Sequence, residues 1–168
     1  MLGLGCKVIA HDPYQQEHLK EKGVEYTGIE DLLARSRIVS LHTPLTQETH
    51  HLINAERLEC VRHGTMLINT SRGELIDTDA VIHAVKSGRL GSLGIDVYEN
   101  EEGVFFEDLS NTVIGDDKLM RLTTFPNVII TSHQAFFTEE AMENIVGTTI
   151  NNIRQFAREG HCENAVSA

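Results

Sequence analysis

An open α/β fold with a doubly wound parallel sheet is what this 168-residue chain predicts, on three observations. Short β-branched runs alternate with stretches of helical composition. The runs are almost continuously apolar, as strands covered on both faces of a parallel sheet are. Polar or ionisable residues follow five of the runs, and an open α/β sheet binds ligands just beyond the carboxyl ends of its strands.

Taken in order, residues 7–11 (Lys-Val-Ile-Ala-His) form the first run, and residues 24–27 a short edge strand. Ile38–Leu41, 66–69 (Met-Leu-Ile-Asn), 91–95 (Gly-Ser-Leu-Gly-Ile) and 128–131 (Val-Ile-Ile-Thr) follow. Between them, 15–22, 29–35, 54–62 and 78–87 have helical composition, with Asp77 placed to cap the last. Right-handed crossovers then put helices on both sheet faces. The acidic segment 99–117 is expected to be the longest irregular connection. Residues 138–159 give the clearest helix. Thr138 can cap it, Glu139 and Glu140 sit at its positive end, and Gly160 stops it. Met142, Ile145, Val146, Thr149, Ile153 and Phe156 make its apolar stripe. The expected organisation is a nucleotide-binding domain over 1–137, followed by a helix and tail over 138–168.

Bulk composition narrows the function. Hydrophobic content of 40% and charged content of 23% are those of a globular domain. With 14 Lys+Arg against 25 Asp+Glu, the net charge of -11 argues against a nucleic-acid partner and against an anionic lipid surface. Cys6, Cys60 and Cys162 are sparse, odd in number and without a C-x-x-C, as free thiols in a reducing compartment are. No apolar stretch approaches the roughly 18 residues that span a bilayer. No secretory signal is visible, so a cytoplasmic location is expected.

The strand ends supply the chemistry. Asp12-Pro13 follows the first run, His42-Thr43-Pro44 the third, and Thr70-Ser71-Arg72-Gly73 the fourth. Asp96 follows the fifth, with Glu101 shortly beyond, and His133 follows the last. Arginine can clamp a carboxylate through two parallel hydrogen bonds, and histidine backed by glutamate can hand over a proton near neutral pH. Arg72, Glu101 and His133 together therefore suit the reversible reduction of a 2-keto acid. Asp12 reads either as a helix cap before proline or as the acceptor for adenosine ribose hydroxyls, which would favour NAD over NADP. Gly73 would let backbone approach a ligand. His42 is expected to be a packed strand-end histidine, and Glu99 and Glu102 solvated loop carboxylates. His50 and His51, as neighbours, should point apart, and no third ligand has metal spacing, so no metal is expected. Gly3-Leu-Gly5 precedes a strand, where a phosphate cradle would follow one.

These motifs resemble the D-isomer-specific 2-hydroxyacid dehydrogenases. The resemblance lies in Asn69-Thr-Ser-Arg-Gly-Glu-Leu-Ile-Asp77, Gly94-Ile-Asp-Val-Tyr-Glu-Asn-Glu101 and Thr131-Ser-His-Gln-Ala135. His11-Asp-Pro-Tyr14 and His42-Thr-Pro-Leu-Thr46 fit too, while Phe105-Phe-Glu-Asp108 and Phe125-Pro-Asn127 are similar to the lactate-type subgroup. The resemblance implies a Rossmann-like fold, NAD as cofactor and a small 2-keto or 2-hydroxy acid as substrate, first of all pyruvate and D-lactate. It implies that Arg72 binds the substrate carboxylate, that His133 protonates the carbonyl oxygen, and that Glu101 favours protonated His133. Asp12, Thr43, Pro44, Thr70, Ser71 and Asp96 match cofactor-contacting positions. Thr49 departs from the pattern, since lactate-type relatives often carry asparagine there. Glu101 separates the chain from the related formate dehydrogenases, which place glutamine beside the histidine. A non-catalytic NAD(H)-binding module and an inactive remnant are the alternatives, and full-length relatives are commonly homodimers.

Family members also carry a first strand, a G-x-G-x-x-G turn and most of a substrate domain ahead of the segment where this chain begins. The fold is therefore expected to be incomplete, without the turn whose N–H groups would bind the pyrophosphate. In the strand order 3-2-1-4-5-6 that first strand is central. Residues 7–11 and Ile38–Leu41 should each lack a pairing neighbour, and an apolar sheet face should stay uncovered. The isolated chain is expected to fold poorly, to aggregate, or to assemble with a complementing fragment. The terminal helix is expected to pack towards the absent domain.

Overall fold

The computed structural model describes residues 1–166, which divide into two compact units, Met1–His133 and the residues from Gln134 onward. In the first unit β1 (Ile9–Ala10), α1 (Glu17–Glu21) and β2 (Glu25–Tyr26) precede α2 (Ile29–Arg35) and β3 (Ile38–Leu41). Then come α3 (Ala55–Cys60), β4 (Thr65–Asn69), α4 (Thr78–Lys86), β5 (Leu90–Ile95), α5 (Asp117–Thr123) and β6 (Val128–Ile130). The second unit holds α6 (Glu139–Glu159).

All strand pairing is parallel, but it falls into two sheets. β1 pairs only with β2, while β3-β4-β5-β6 form a four-stranded sheet. Neither β1 nor β3 has a second neighbour among the described residues, as an open α/β sheet without its central strand requires. Every expected strand is present, with bounds shifted by a residue or two.

The pleat alternates side chains, and burial follows it. Val39, Leu41, Leu67, Leu93 and Ile95 are buried on one face, with Leu33 of α2, Leu58 of α3, Val81 of α4, and Leu119 and Leu122 of α5. The four helices pack side by side over that face in the order α2, α3, α4, α5. On the opposite face Ile38 is 53% exposed, its register partner Met66 38%, and Ile129 68%.

Local signals account for the helices. Asn54, Asp77 and Asp116 each accept the N–H of the third residue onward, at 3.0, 3.1 and 2.9 Å, capping α3, α4 and α5. Thr138 caps α6 through Ala141 N at 3.2 Å, and Gly160 ends it with φ 73°. Within α6, Ile145, Val146, Ile153 and Phe156 of the expected stripe are exposed. Helix α5 escaped the sequence reading because seven residues carry too little periodicity, although Asp116 was a usable start signal. Among the described residues no helix is long and apolar enough to cross a membrane. Cys6, Cys60 and Cys162 are free.

Candidate active site

Asn69, the last residue of β4 and fully buried, shapes the turn that carries Arg72. Its Nδ2 donates to Arg72 O at 2.7 Å, and its Oδ1 accepts Ser71 N at 3.1 Å. Ser71 Oγ donates to Leu41 O at 2.8 Å, which joins this turn to the end of β3 just ahead of Thr43 and Pro44. Thr70 and Arg72 are exposed. Arg72 forms no ion pair among the described residues: its Nη1 donates to Ser71 O at 2.6 Å, so no acidic side chain occupies the guanidinium.

Gly73 is buried and packs against another stretch of backbone. A Cβ at Gly73 would stand 2.1 Å from Tyr98 C and 2.4 Å from Glu99 N. The absence of a side chain therefore lets the Arg72 turn lie directly against the backbone of the loop that follows β5.

That loop carries Asp96 and Glu101. Asp96, 4% exposed, donates its N–H to Asn69 O at 3.0 Å, accepts Thr131 Oγ1 at its carboxylate, and accepts His133 N at its carbonyl. Glu101 opens a short 3₁₀ turn, Glu101–Gly103. Its Oε2 accepts Tyr98 N at 2.9 Å, while its Oε1 meets His133 Nδ1 at 2.8 Å. Both members of the pair are partly shielded, at 18% and 32% side-chain exposure. Ser132 and His133 both take left-handed backbone, φ 56° and 54°. Such conformations cost non-glycine residues roughly 1–3 kcal/mol each and persist where surroundings impose them, often at functional sites. Here the His133 N–H to Asp96 is one such restraint. The Phe106 ring, from the acidic segment, stands 5.8 Å from the His133 ring.

Asp12, exposed beyond β1, accepts Tyr14 N at 2.7 Å, an Asx turn. The helix-cap reading is thereby removed, since α1 starts only at Glu17 with Gln16 as its cap residue. A carboxylate has about four acceptor sites, so one local bond leaves Asp12 able to take two ribose hydroxyls. Thr49 Oγ1 donates to Pro44 O at 2.7 Å and accepts Thr46 N at 2.7 Å, so the residue that departs from the lactate-type pattern pins the Thr43-Pro44 loop.

Three expectations are corrected. His42 is exposed and hydrogen-bonds Ser40 Oγ at 2.8 Å, because the chain leaves the sheet at Leu41. His50 and His51 do not point apart: their rings stack with centroids 4.0 Å apart, His51 having φ 49°. Glu99 is no solvated carboxylate, since it pairs with His51 at 2.7 Å and accepts Thr78 N at 3.4 Å. Burial would push its carboxyl up, but the bonds from Thr78 and His51 outweigh burial and hold it below the usual range. Among the described residues no group of three His, Cys, Asp or Glu could hold a metal. Tyr98 OH donates to both Asp116 oxygens at 2.9 and 2.8 Å; burial first, then the Asp116 carboxylate, pushes the phenol up. The sequence reading missed Asn69, His51 and Glu99 as supports, and only the type-and-turn context of Asn69 offered a signal.

Residues 1–135 match the model of the D-isomer specific 2-hydroxyacid dehydrogenase NAD binding domain. The chain is 51% identical over 164 residues to 2-hydroxyacid dehydrogenase A of Aspergillus oryzae, spanning 98% of this chain and 47% of that one. It is 47% identical over 162 residues to D-lactate dehydrogenase of Escherichia coli, spanning 96% and 49%. Among solved structures, D-lactate dehydrogenase from Aquifex aeolicus complexed with NAD and lactic acid superposes with TM-score 0.85 at 38% identity, over 99% of this chain and 52% of that one. The chain thus spans about half the length of the curated relatives it matches. With its parallel sheet, its strand-end residues and these matches, the chain belongs to the D-isomer specific 2-hydroxyacid dehydrogenase family, in the part that forms the NAD-binding domain.

Proposed function

We propose that the protein works as an NAD-dependent D-2-hydroxyacid dehydrogenase interconverting a 2-keto acid and its D-2-hydroxy acid, with pyruvate and D-lactate as the leading pair. The observation that carries this reading is the Glu101–His133 contact of 2.8 Å, with the second Glu101 oxygen held by Tyr98 N. NAD(H), when bound, supplies the hydride exchanged with the substrate carbon. Asp12 would hold the adenosine ribose and repel a 2′-phosphate; Thr43, Pro44, Thr70, Ser71 and Asp96 would line the remainder.

Arg72 would clamp the substrate carboxylate with two parallel hydrogen bonds. His133 presents Nδ1 to Glu101, so Nε2 is the nitrogen left to donate a proton to the carbonyl oxygen. The Glu101 carboxylate, in contact with Nδ1, fixes the orientation of the ring throughout the transfer. In the oxidation direction the same Nε2 accepts the hydroxyl proton. Phe106 beside the His133 ring would narrow the space for the substrate side chain and favour small acids.

Assaying the intact protein for NADH oxidation with pyruvate and with branched 2-keto acids tests the reading. The expected result is turnover on pyruvate, lost on His133→Gln, with NADPH much poorer than NADH until Asp12 is replaced. Tight NADH binding without turnover on any 2-keto acid would overturn it.

A further inference from the structure

The loop that delivers Glu101 is held by a side chain outside the proposed site. Glu99 Oε1 meets His51 Nε2 at 2.7 Å, with side-chain exposures of 22% and 31%. His51 is itself anchored: its N–H donates to Glu74 O at 2.8 Å, and Ile53 N donates to Leu75 O at 2.9 Å. Its left-handed φ of 49° is a conformation that the surroundings must impose on a histidine. His51 thus joins the segment after β3 to the stretch beyond Arg72 through its backbone and to the 96–101 loop through its side chain.

We propose that His51 is a positioning residue for Glu101, holding Glu99 so that the Tyr98 N–H keeps the Glu101 carboxylate aimed at His133. Tyr98 N takes Oε2 of Glu101 and leaves Oε1 for the imidazole. The Tyr98–Glu99 backbone is pressed by Gly73, and van der Waals contact resists compression but not withdrawal. The bonds from His51 and Thr78 to Glu99 resist withdrawal. For turnover, the proposal rests on the dehydrogenase reading above.

The test uses His51→Ala, His51→Gln and Glu101→Gln in the intact protein, singly and combined. His51→Ala should lower kcat roughly tenfold, the scale of a small misplacement of a catalytic group. KM for the keto acid, set by Arg72, should move far less. His51→Gln, whose amide N–H can still donate to Glu99, should restore most of the loss. In the Glu101→Gln background His51→Ala should cost nothing further, because the two act through one contact. Losses that multiply instead would overturn the proposal. So would a His133 Cε1 NMR titration, on ¹³C-labelled protein, superimposable between wild type and His51→Ala. That signal needs no turnover. A displaced titration in a protein without activity would sink the dehydrogenase reading and leave the role of His51 standing.

Discussion

Glu101 and Arg72 reach the candidate site by different means. Glu101 has both carboxylate oxygens engaged, one by Tyr98 N and one by His133, on a loop bonded to β4 through Asp96 and tied to His51 through Glu99. Arg72 is exposed, and among the described residues its guanidinium bonds only its own neighbour's carbonyl, so its aim depends on the Asn69 turn beneath it. The difference fits the two tasks proposed for them. A proton-transfer pair needs fixed geometry and shielding from water, which raise the strength of its electrostatics. An arginine that clamps an arriving carboxylate must stay unpaired until the ligand comes, since an internal carboxylate would compete for the same fork.

The first way to break the contrast is at the acid. His133→Gln should lower turnover about 10²–10⁴-fold with little change in NADH affinity, read by steady-state kinetics and cofactor fluorescence titration. Arg72→Lys should act on the other half. A point charge replaces a fork, so KM for the keto acid should rise by roughly 10-fold or more while NADH binding holds. If KM stays put, Arg72 is not the clamp.

Gly73→Ala strikes the seam between the halves. A methyl 2.1 Å from Tyr98 C forces the two backbones apart, and overpacking of this kind costs about 1–3 kcal/mol or more. Urea unfolding should show that loss together with reduced turnover; an unchanged midpoint would refute the close approach. Glu101→Gln keeps shape and removes charge. The partner that meets His133 Nδ1 then no longer carries charge, so steady-state turnover of the keto acid should fall by less than in His133→Gln while NADH binding holds.

The smallest effect is an acid-side change in stability. The Glu99 carboxyl is held below its ordinary 4.5, so its stabilisation is complete above that value and is lost as pH falls through the lowered one. Glu99→Gln should flatten that part of the pH–stability curve, by roughly 1 kcal/mol or less. Denaturant midpoints measured from neutral pH down to acid would show it.

Much of the fold was legible because strands of a parallel sheet read as short, nearly continuous apolar runs. Ile38–Leu41 and the runs near 66–69, 91–95 and 128–131 were all found. Caps are similarly local: Asp77 and Thr138 do what their types imply. Helix α5 was lost because seven residues barely exceed one helical repeat. The supports of the site were less legible still, since Glu99 looks like any acidic loop residue until His51, 48 positions away, is folded against it.

What the chain determined by itself was its parallel α/β character, the residues standing at the carboxyl end of each strand, and the chemical types available there. Those follow from local propensity, burial pattern and capping, all short-range in sequence. Only the tertiary structure decided that Glu101 and His133 meet, that Gly73 lies against the Tyr98–Glu99 backbone, and that His51 contacts Glu99 on the loop that carries Glu101. These are long-range contacts, whose formation depends on sheet register and loop path. The same path decided which face of the β3–β6 sheet is covered, because α2, α3, α4 and α5 all return to one side and leave Ile38, Met66 and Ile129 exposed on the other.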